Sequence, residues 1–363
     1  ADFQIVEVVP EDNFALKGVS FVNDYLIADY IDHADMRSAI VFFNHSGERL
    51  DVTLPESLSG TISGFQGVGD DAIMFSVTSY TQPVQYFSFD FTNNSLELLW
   101  EEAIPGFNPN DYTEVSTNYK SKDGTMVPIT YSYKSSTKLN KDTPIFLYAY
   151  GGYNISIRPS FTPKYVAWLE MGGVLAVANI RGGGEFGKAW HNAGRLGTKQ
   201  NVFDDFLYAS KFLESNAIGN RKSTVISGRS NGGLLVGATL IQNPNYFGAA
   251  LPAVGVMDMI RFTEFTEGWG WRGDYGYPIL SQEDFHRNIE ISPYHQTKIG
   301  VCYSPTLTTT ARRDDRVVPS HSYKFTARQQ EYQGCNNPVM LYDTLRAGHG
   351  SGNGVAMPKW KRI

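Results

Sequence analysis

Val225-Ile-Ser-Gly-Arg-Ser-Asn-Gly-Gly-Leu-Leu-Val236 is the stretch on which the reading of this chain turns. A short β-branched run leads into Gly228-Arg-Ser230-Asn-Gly232, and an apolar segment follows. This pattern predicts a strand, a sharp turn that presents the Ser230 hydroxyl, and a helix folding back on the strand: a nucleophile elbow. Glycine at 228, 232 and 233 removes side chains that would collide where helix and strand approach. Leu234, Leu235 and Val236 give the helix an apolar face to bury.

The bulk properties bound the answer. A chain of 363 residues accommodates two domains, and 42% hydrophobic with 19% charged residues describes a soluble globular protein. The formal net charge of −6 argues against nucleic acid or an anionic membrane as the main partner. No apolar run approaches a membrane span and no signal segment is visible. The chain begins at Ala1 rather than Met, so further residues are expected upstream. Cys302 and Cys335 are too few for a disulfide scaffold, and no His/Cys cluster has metal-ligand spacing, so no cofactor is expected. The Asn-X-Ser matches at Asn44, Asn93 and Asn154 are taken as accidental. A cytosolic, reducing setting and a monomer are the expectations.

Along the chain the pattern changes once. Up to about residue 115, aromatic and β-branched runs alternate with turns: Tyr25–Tyr30, Ser38–Phe43, Ala72–Val77 and Val84–Phe89, with Asn44–Gly47 and Thr92–Ser95 between such runs. Asp24–Val52 laid over Asp71–Leu99 matches strand to strand at an offset of about 47 residues. That period points to propeller blades, although two units cannot close a propeller; a small β-sandwich is the alternative. After the turn-rich Tyr119–Thr125, buried-strand runs (Pro144–Tyr148, Gly173–Ala178, Thr224–Ser227, Thr306–Thr309, Pro338–Tyr342) alternate with helices. Asn201–Ser215 reads as a helix burying Phe203, Phe206, Leu207 and Leu213, with Asp204 and Asp205 near its positive end, and another helix runs from Pro319 to Gly334. The expectation is α/β: a doubly wound sheet over 116–363, preceded by a partial propeller of about two blades over 1–115.

A serine hydroxyl needs a base, and the base needs an orienting acid. In α/β-hydrolases these arrive in the order Ser, acid, His, each on a loop after a strand. Here Ser230 is followed by Asp314-Asp315 after the Thr306–Thr309 strand and by His349 in Ala347-Gly-His-Gly350 after the Pro338–Tyr342 strand. Of seven histidines only His321 and His349 lie beyond the Asp pair; His321 falls in a predicted helix, which leaves His349 on its Gly-flanked loop. The residues themselves leave Asp314 and Asp315 undecided. The Asn231 N–H, directly after the nucleophile, is the first expected oxyanion donor, and Tyr150-Gly-Gly-Tyr153 follows an early strand where a second donor belongs. Gly182-Gly-Gly184-Glu185 lacks the spacing of a phosphate loop and reads as a tight turn beside the site.

At these residues the chain resembles prolyl oligopeptidase, a serine peptidase family with an α/β-hydrolase domain capped by a seven-bladed propeller. The resemblance is carried by Tyr150–Ser156, Ala178–Glu185, Ser230–Leu235, Val254–Asp258, Trp271–Gly276, Asp314–Pro319 and Ala347–Gly350, in the family's order. It implies Ser230 as nucleophile, His349 as general acid/base and Asp314 as its orienting partner. The Tyr150 hydroxyl would join the Asn231 N–H in the oxyanion hole. Trp271 would stack on a substrate proline ring, Tyr153, Val256, Tyr275 and Val317 would close an apolar pocket, and Arg316 would bind a substrate carbonyl upstream. The implied activity is cleavage of short proline-containing peptides on the carboxyl side of proline through an acyl-enzyme.

Three departures from the family pattern stand out. Arg312-Arg313 precede the Asp pair where the family has an acidic residue and a His, altering the field expected at Asp314. Arg229 stands where Gly is common, which is tolerable if its side chain points to solvent. Only 14 residues follow His349, whereas the family continues with a long C-terminal helix; a partial chain is expected. Two other readings remain: an oligopeptidase B-like preference for basic residues, served by Asp274 or Glu267, and an inactive scaffold or binding protein with the triad unassembled. A lipid or small-ester hydrolase is disfavoured, since no apolar lid is evident.

Overall fold

The computed structural model describes residues 7–55 and 58–350; all but the first of the 14 residues that follow His349 lie outside them. Strands β1 (Ala15–Val22), β2 (Tyr25–Asp32) and β3 (Arg37–Asn44) form one antiparallel sheet. A second antiparallel sheet contains β4 (Thr61–Val68), β5 (Ala72–Thr78), β6 (Gln85–Asp90) and β7 (Ser95–Glu101). The repeat read from the sequence maps β2 and β3 onto β5 and β6. Period-2 alternation drives the packing: Ile73, Phe75 and Val77 of β5 are buried with Phe87 and Phe89 of β6, and Ile27 and Phe42 of the first sheet join them in one core. The Asn23 amide ties the two sheets by donating to the carbonyls of Gly69 (3.1 Å) and Asp70 (3.1 Å).

The remaining strands make one sheet of eight: β8 (Tyr112–Lys120), β9 (Met126–Lys134), β10 (Ile145–Tyr148), β11 (Val174–Ala178), β12 (Thr224–Arg229), β13 (Ala249–Ala253), β14 (Thr306–Ala311) and β15 (Val339–Thr344). Their order is β15-β14-β13-β12-β10-β11-β9-β8. Neighbours from β11 to β15 are parallel, while β9 and β8 add an antiparallel hairpin through the 121–125 turn. This sheet begins at Tyr112, a few residues before position 116. Helices α1 (Pro163–Glu170), α2 (Gly187–Asn192), α3 (Gln200–Ser215), α4 (Asn231–Gln242), α5 (Arg272–Tyr275), α6 (Gln282–Ile291), α7 (Pro293–Gln296) and α8 (Ser320–Tyr332) connect its strands. All five residues of β11 are buried, as a parallel strand covered on both faces requires. The α3 stripe buries Phe203, Phe206 and Leu213, and α4 is buried almost all round against β12 and β13.

Two sequence expectations are corrected here. Asp205 is more than a partner of the α3 dipole: it is fully buried and takes the Arg181 guanidinium at 2.6 Å and 2.9 Å. Cys302 and Cys335, set aside as too few for a scaffold, form a disulfide with a Cα–Cα distance of 5.1 Å. It joins the approach to β14 to the segment after α8. Sequence spacing carries no information on whether two Cα atoms 33 residues apart converge, which is why the bridge was not foreseen. Among the described residues no helix is long and apolar enough to cross a membrane.

Candidate active site

Ser230 occupies the junction between β12 and α4 with φ 60° and ψ −120°. An L-residue adopts that backbone only where its surroundings hold it. Here its N–H is tied to the Ala253 carbonyl (2.9 Å), and its carbonyl accepts from Leu234 in the first turn of α4 (3.1 Å). A Cβ at Gly228 would stand 2.2 Å from the Gly232 carbonyl oxygen, and one at Gly233 would stand 2.6 Å from Gly255 Cα. The glycines therefore set the close helix–strand approach that raises the serine into the open.

Asp314 lies in the loop after β14, 3% exposed. Its Oδ1 accepts the backbone N–H groups of Arg316 (3.0 Å) and Val317 (2.9 Å), and its Oδ2 is 2.8 Å from His349 Nδ1. Asp315, one position on, is exposed. His321 is buried within α8 and accepts the Asp258 N–H at 3.1 Å; burial pushes its pKa down to about 4. The geometry thus brings together Asp314 and His349 and leaves the neighbouring Asp and the other histidine elsewhere. Arg312 does not act on Asp314; it pairs with Asp343 at 2.8 Å, while the Arg313 N–H donates to the Ala347 carbonyl.

Arg229 takes a different course. Its guanidinium is half-buried rather than in solvent and donates to the main-chain carbonyl of His349. The cause is the sheet: the parallel strands β12, β14 and β15 all end at one sheet edge, so a long cation there reaches an acceptor and the field of Asp314. Among the described residues Ser230 makes no hydrogen bond to His349; its hydroxyl meets that of Tyr150.

Tyr150 follows β10, the neighbour of β12, so its ring comes alongside the elbow. Burial holds its pKa above the ordinary tyrosine range, which keeps the hydroxyl a donor. Asn231 is the first residue of α4, where a backbone N–H has no partner within the helix. Its side chain is also engaged: Nδ2 donates to the Tyr150 carbonyl at 2.5 Å, and Oδ1 accepts the Tyr275 hydroxyl at 2.8 Å.

A cavity of about 280 Å³ opens on Ser230, Tyr150 and Asn231. Its walls include Tyr153, Val256, Trp271, Tyr275 and Val317, the whole of the expected apolar pocket, with Arg316 also on its lining. Edge-to-face contacts fix the aromatic wall: Tyr275 meets Tyr153 at 5.7 Å and Phe262 at 5.4 Å, and Trp271 stacks on Phe262 at 6.3 Å. Asp274 is committed elsewhere, to the Tyr153 N–H and to His191 Nε2, both at 2.8 Å. Glu267 does line the cavity, as do Ile155 and Gly270, which sequence reasoning did not single out. Also missed was Lys199, buried beneath Asn231; a lysine in a polar loop carries no local sign of burial.

A profile of the prolyl oligopeptidase family matches residues 159–363, and one described as the prolyl oligopeptidase N-terminal beta-propeller domain matches residues 2–102. A prolyl endopeptidase of Elizabethkingia meningoseptica is 43% identical over 295 residues, covering 81% of this chain and 42% of the relative. One of Dictyostelium discoideum is 35% identical over 358 residues, covering 96% and 46%. Among solved structures, a prolyl endopeptidase studied for inter-domain dynamics superposes with TM-score 0.89 at 39% identity, covering 94% of this chain and 50% of the other. Prolyl oligopeptidase B of Galerina marginata, bound to a 25mer macrocyclization substrate, superposes with TM-score 0.90 at 33% identity, covering 96% and 49%. The chain spans about half the length of the curated relatives it matches.

Proposed function

The chain belongs to the prolyl oligopeptidase family, and from that premise we propose that it carries the centre of a serine endopeptidase that cleaves short peptides after proline through an acyl-enzyme. The observation that carries this reading is the elbow serine at the mouth of an aromatic-walled cavity, with the Asp314–His349 pair on adjacent loops. In the proposed cycle a proline ring lies against Trp271 and Tyr275, and the scissile carbonyl carbon comes over Ser230. His349 moves onto Ser230 as substrate displaces the Tyr150 contact, takes the hydroxyl proton during attack, and returns it to the leaving amine. Asp314 holds the ring's Nδ1–H and stabilises the imidazolium. The Tyr150 hydroxyl and Asn231 N–H receive the oxyanion, and Arg316 takes an upstream substrate carbonyl. Water then attacks the ester by the same route.

The division proposed is a partial propeller over 1–115 and a hydrolase domain over 116–363, acting as a monomer on small proline-containing peptides. The aromatic wall formed by Trp271, Tyr275 and Tyr153 supports proline over Arg or Lys. The competing preference for basic residues is left with Glu267 alone, because both Asp274 oxygens are already occupied. Reporter peptides ending in proline and in arginine test this: faster release after arginine overturns the choice. Labelling by a fluorophosphonate that disappears in Ser230→Ala supports an enzyme, and an unlabelled chain supports the scaffold reading.

A cytoplasmic setting is part of the proposal, and the disulfide opposes it, since such bridges are rare under reducing conditions. Thiol counting on freshly isolated protein discriminates: two free thiols support the cytoplasm, and none argues against it.

A further inference from the structure

Beneath the oxyanion residues lies a cation that the proposed cycle does not use. Lys199 is 3% exposed, and its Nζ donates to the Gly151 carbonyl at 2.9 Å and to Asn231 Oδ1 at 3.1 Å. The ammonium also sits 5.4 Å from the centre of the Tyr275 ring. The described residues give it no salt bridge. Burying an ammonium without a carboxylate is costly, and an apolar side chain of similar length is usually the more stable occupant. A cost of this kind at a site is commonly retained for function.

The contacts converge on the two oxyanion donors. Asn231 Oδ1 is shared by Lys199 and the Tyr275 hydroxyl, Asn231 Nδ2 holds the Tyr150 carbonyl, and Lys199 holds the next carbonyl, that of Gly151. Both segments that carry the donors are thereby fastened to one buried charge. We propose that Lys199 is a positioning residue of the hydrolytic centre: it locks the Asn231 side chain and the 150–151 backbone so that the Tyr150 hydroxyl and Asn231 N–H stay aimed at one point, and it places positive charge behind them. The inference rests on the peptidase reading above. It also links the pocket to the chemistry, because the Tyr275 that walls the pocket ends on the same Asn231 oxygen.

The surroundings allow this charge to be lost within an accessible pH range. Burial lowers the Lys199 pKa to about 8, with Asp274 opposing that shift. The charged or titratable groups on neighbouring elements are otherwise committed. On α5, Asp274 pairs with His191; on α6, Arg287 pairs with Glu283 and Asp284. On α3, Asp204 pairs with Lys122 and Asp205 with Arg181.

The test compares the chain with Lys199→Met and Lys199→Arg, reading phosphonylation of Ser230 by a fluorophosphonate, turnover of a proline reporter, and thermal stability. Lys199→Met is expected to lose about 10- to 100-fold in phosphonylation rate and kcat, short of the ~10²–10³ seen when an oxyanion donor itself is removed. Its KM should change less than about 3-fold and its melting temperature should hold or rise, because a buried unpaired charge is gone. The parent's phosphonylation rate should fall as pH rises through about 8, and Lys199→Arg, which stays charged, should lack that limb. Full reactivity in Lys199→Met overturns the proposal, as does loss of reactivity only in step with loss of fold. Should Lys199→Met fail to fold, a parent rate that stays flat past pH 9, or a limb unchanged in Lys199→Arg, overturns it equally. Phosphonylation needs no peptide, so failure of the parent to cleave after proline counts against the peptidase reading and not against Lys199.

Discussion

Arg229, the residue immediately before the elbow serine, donates a hydrogen bond to the main-chain carbonyl of His349. One side chain thus bridges the turn that carries Ser230 and the loop that carries His349, with Arg229 and His349 120 positions apart in the chain. A charge-assisted bond of this kind contributes about 1.5–3 kcal/mol. Arg229→Ala should therefore release the 347–350 loop and lower kcat about 10- to 100-fold. Melting temperature should move little, because the bond fastens a surface loop and no core side chain is lost. Steady-state kinetics with a proline reporter, alongside a thermal melt, checks both.

The Asp pair separates sharply. Asp314 is buried with both oxygens engaged, whereas Asp315 is exposed. Asp314→Asn is expected to lower kcat by up to about 10⁴-fold by upsetting the imidazole tautomer. Asp315→Asn should stay within about 2-fold, since it removes only a screened surface charge. A comparable loss in the two variants would break the assignment.

Trp271 is half-buried and braced from behind by Phe262. Trp271→Ala removes the flat wall of the cavity but leaves Ser230, Asp314 and His349 alone. It should raise KM for proline reporters about 10- to 100-fold while phosphonylation by a small fluorophosphonate changes far less, since a lost aromatic contact costs substrate binding of a few kcal/mol.

Glu185 supplies a pH prediction. It is buried, Oε1 accepts the Ile157 N–H (2.9 Å), and Oε2 is unpartnered. Burial raises its pKa to about 7 from 4.5, only partly offset by the hydrogen bonds it accepts. A folded-state value above the unfolded one means that this group favours the fold below about pH 4.5 and that the benefit is lost as pH rises through 7. The span is worth about 3 kcal/mol. Glu185→Gln should remove the pH dependence, so that it gains on the parent toward pH 8 and converges with it in acid. Urea melts across pH 4.5–8 measure the difference; parallel curves for the two proteins would refute it.

Much of this architecture is written in local patterns. Alternation of apolar and polar residues is legible wherever a strand has one wet face, as in Ala72–Thr78, and the 3.6-residue stripe is legible in Gln200–Ser215. The elbow is legible because close helix–strand approach demands glycine at fixed offsets from the serine. Strands such as Ala249–Ala253 were not legible, since a short apolar run interrupted by Pro252 carries no period.

The amino-acid order alone carried the α/β alternation, the repeat that precedes it, and the choice of Ser230 and His349 as candidates. Tertiary structure decided the rest. Asp314 rather than Asp315 turns inward, Arg229 grips a distant carbonyl, Cys302 finds Cys335, and Lys199 lies buried under Asn231. The physical reason is one of range. Periodicity and turn chemistry act over a few residues and leave a mark in the neighbouring letters. Burial of a charge and the pairing of remote side chains depend on distances that exist only once the sheet has brought its loops to a common edge.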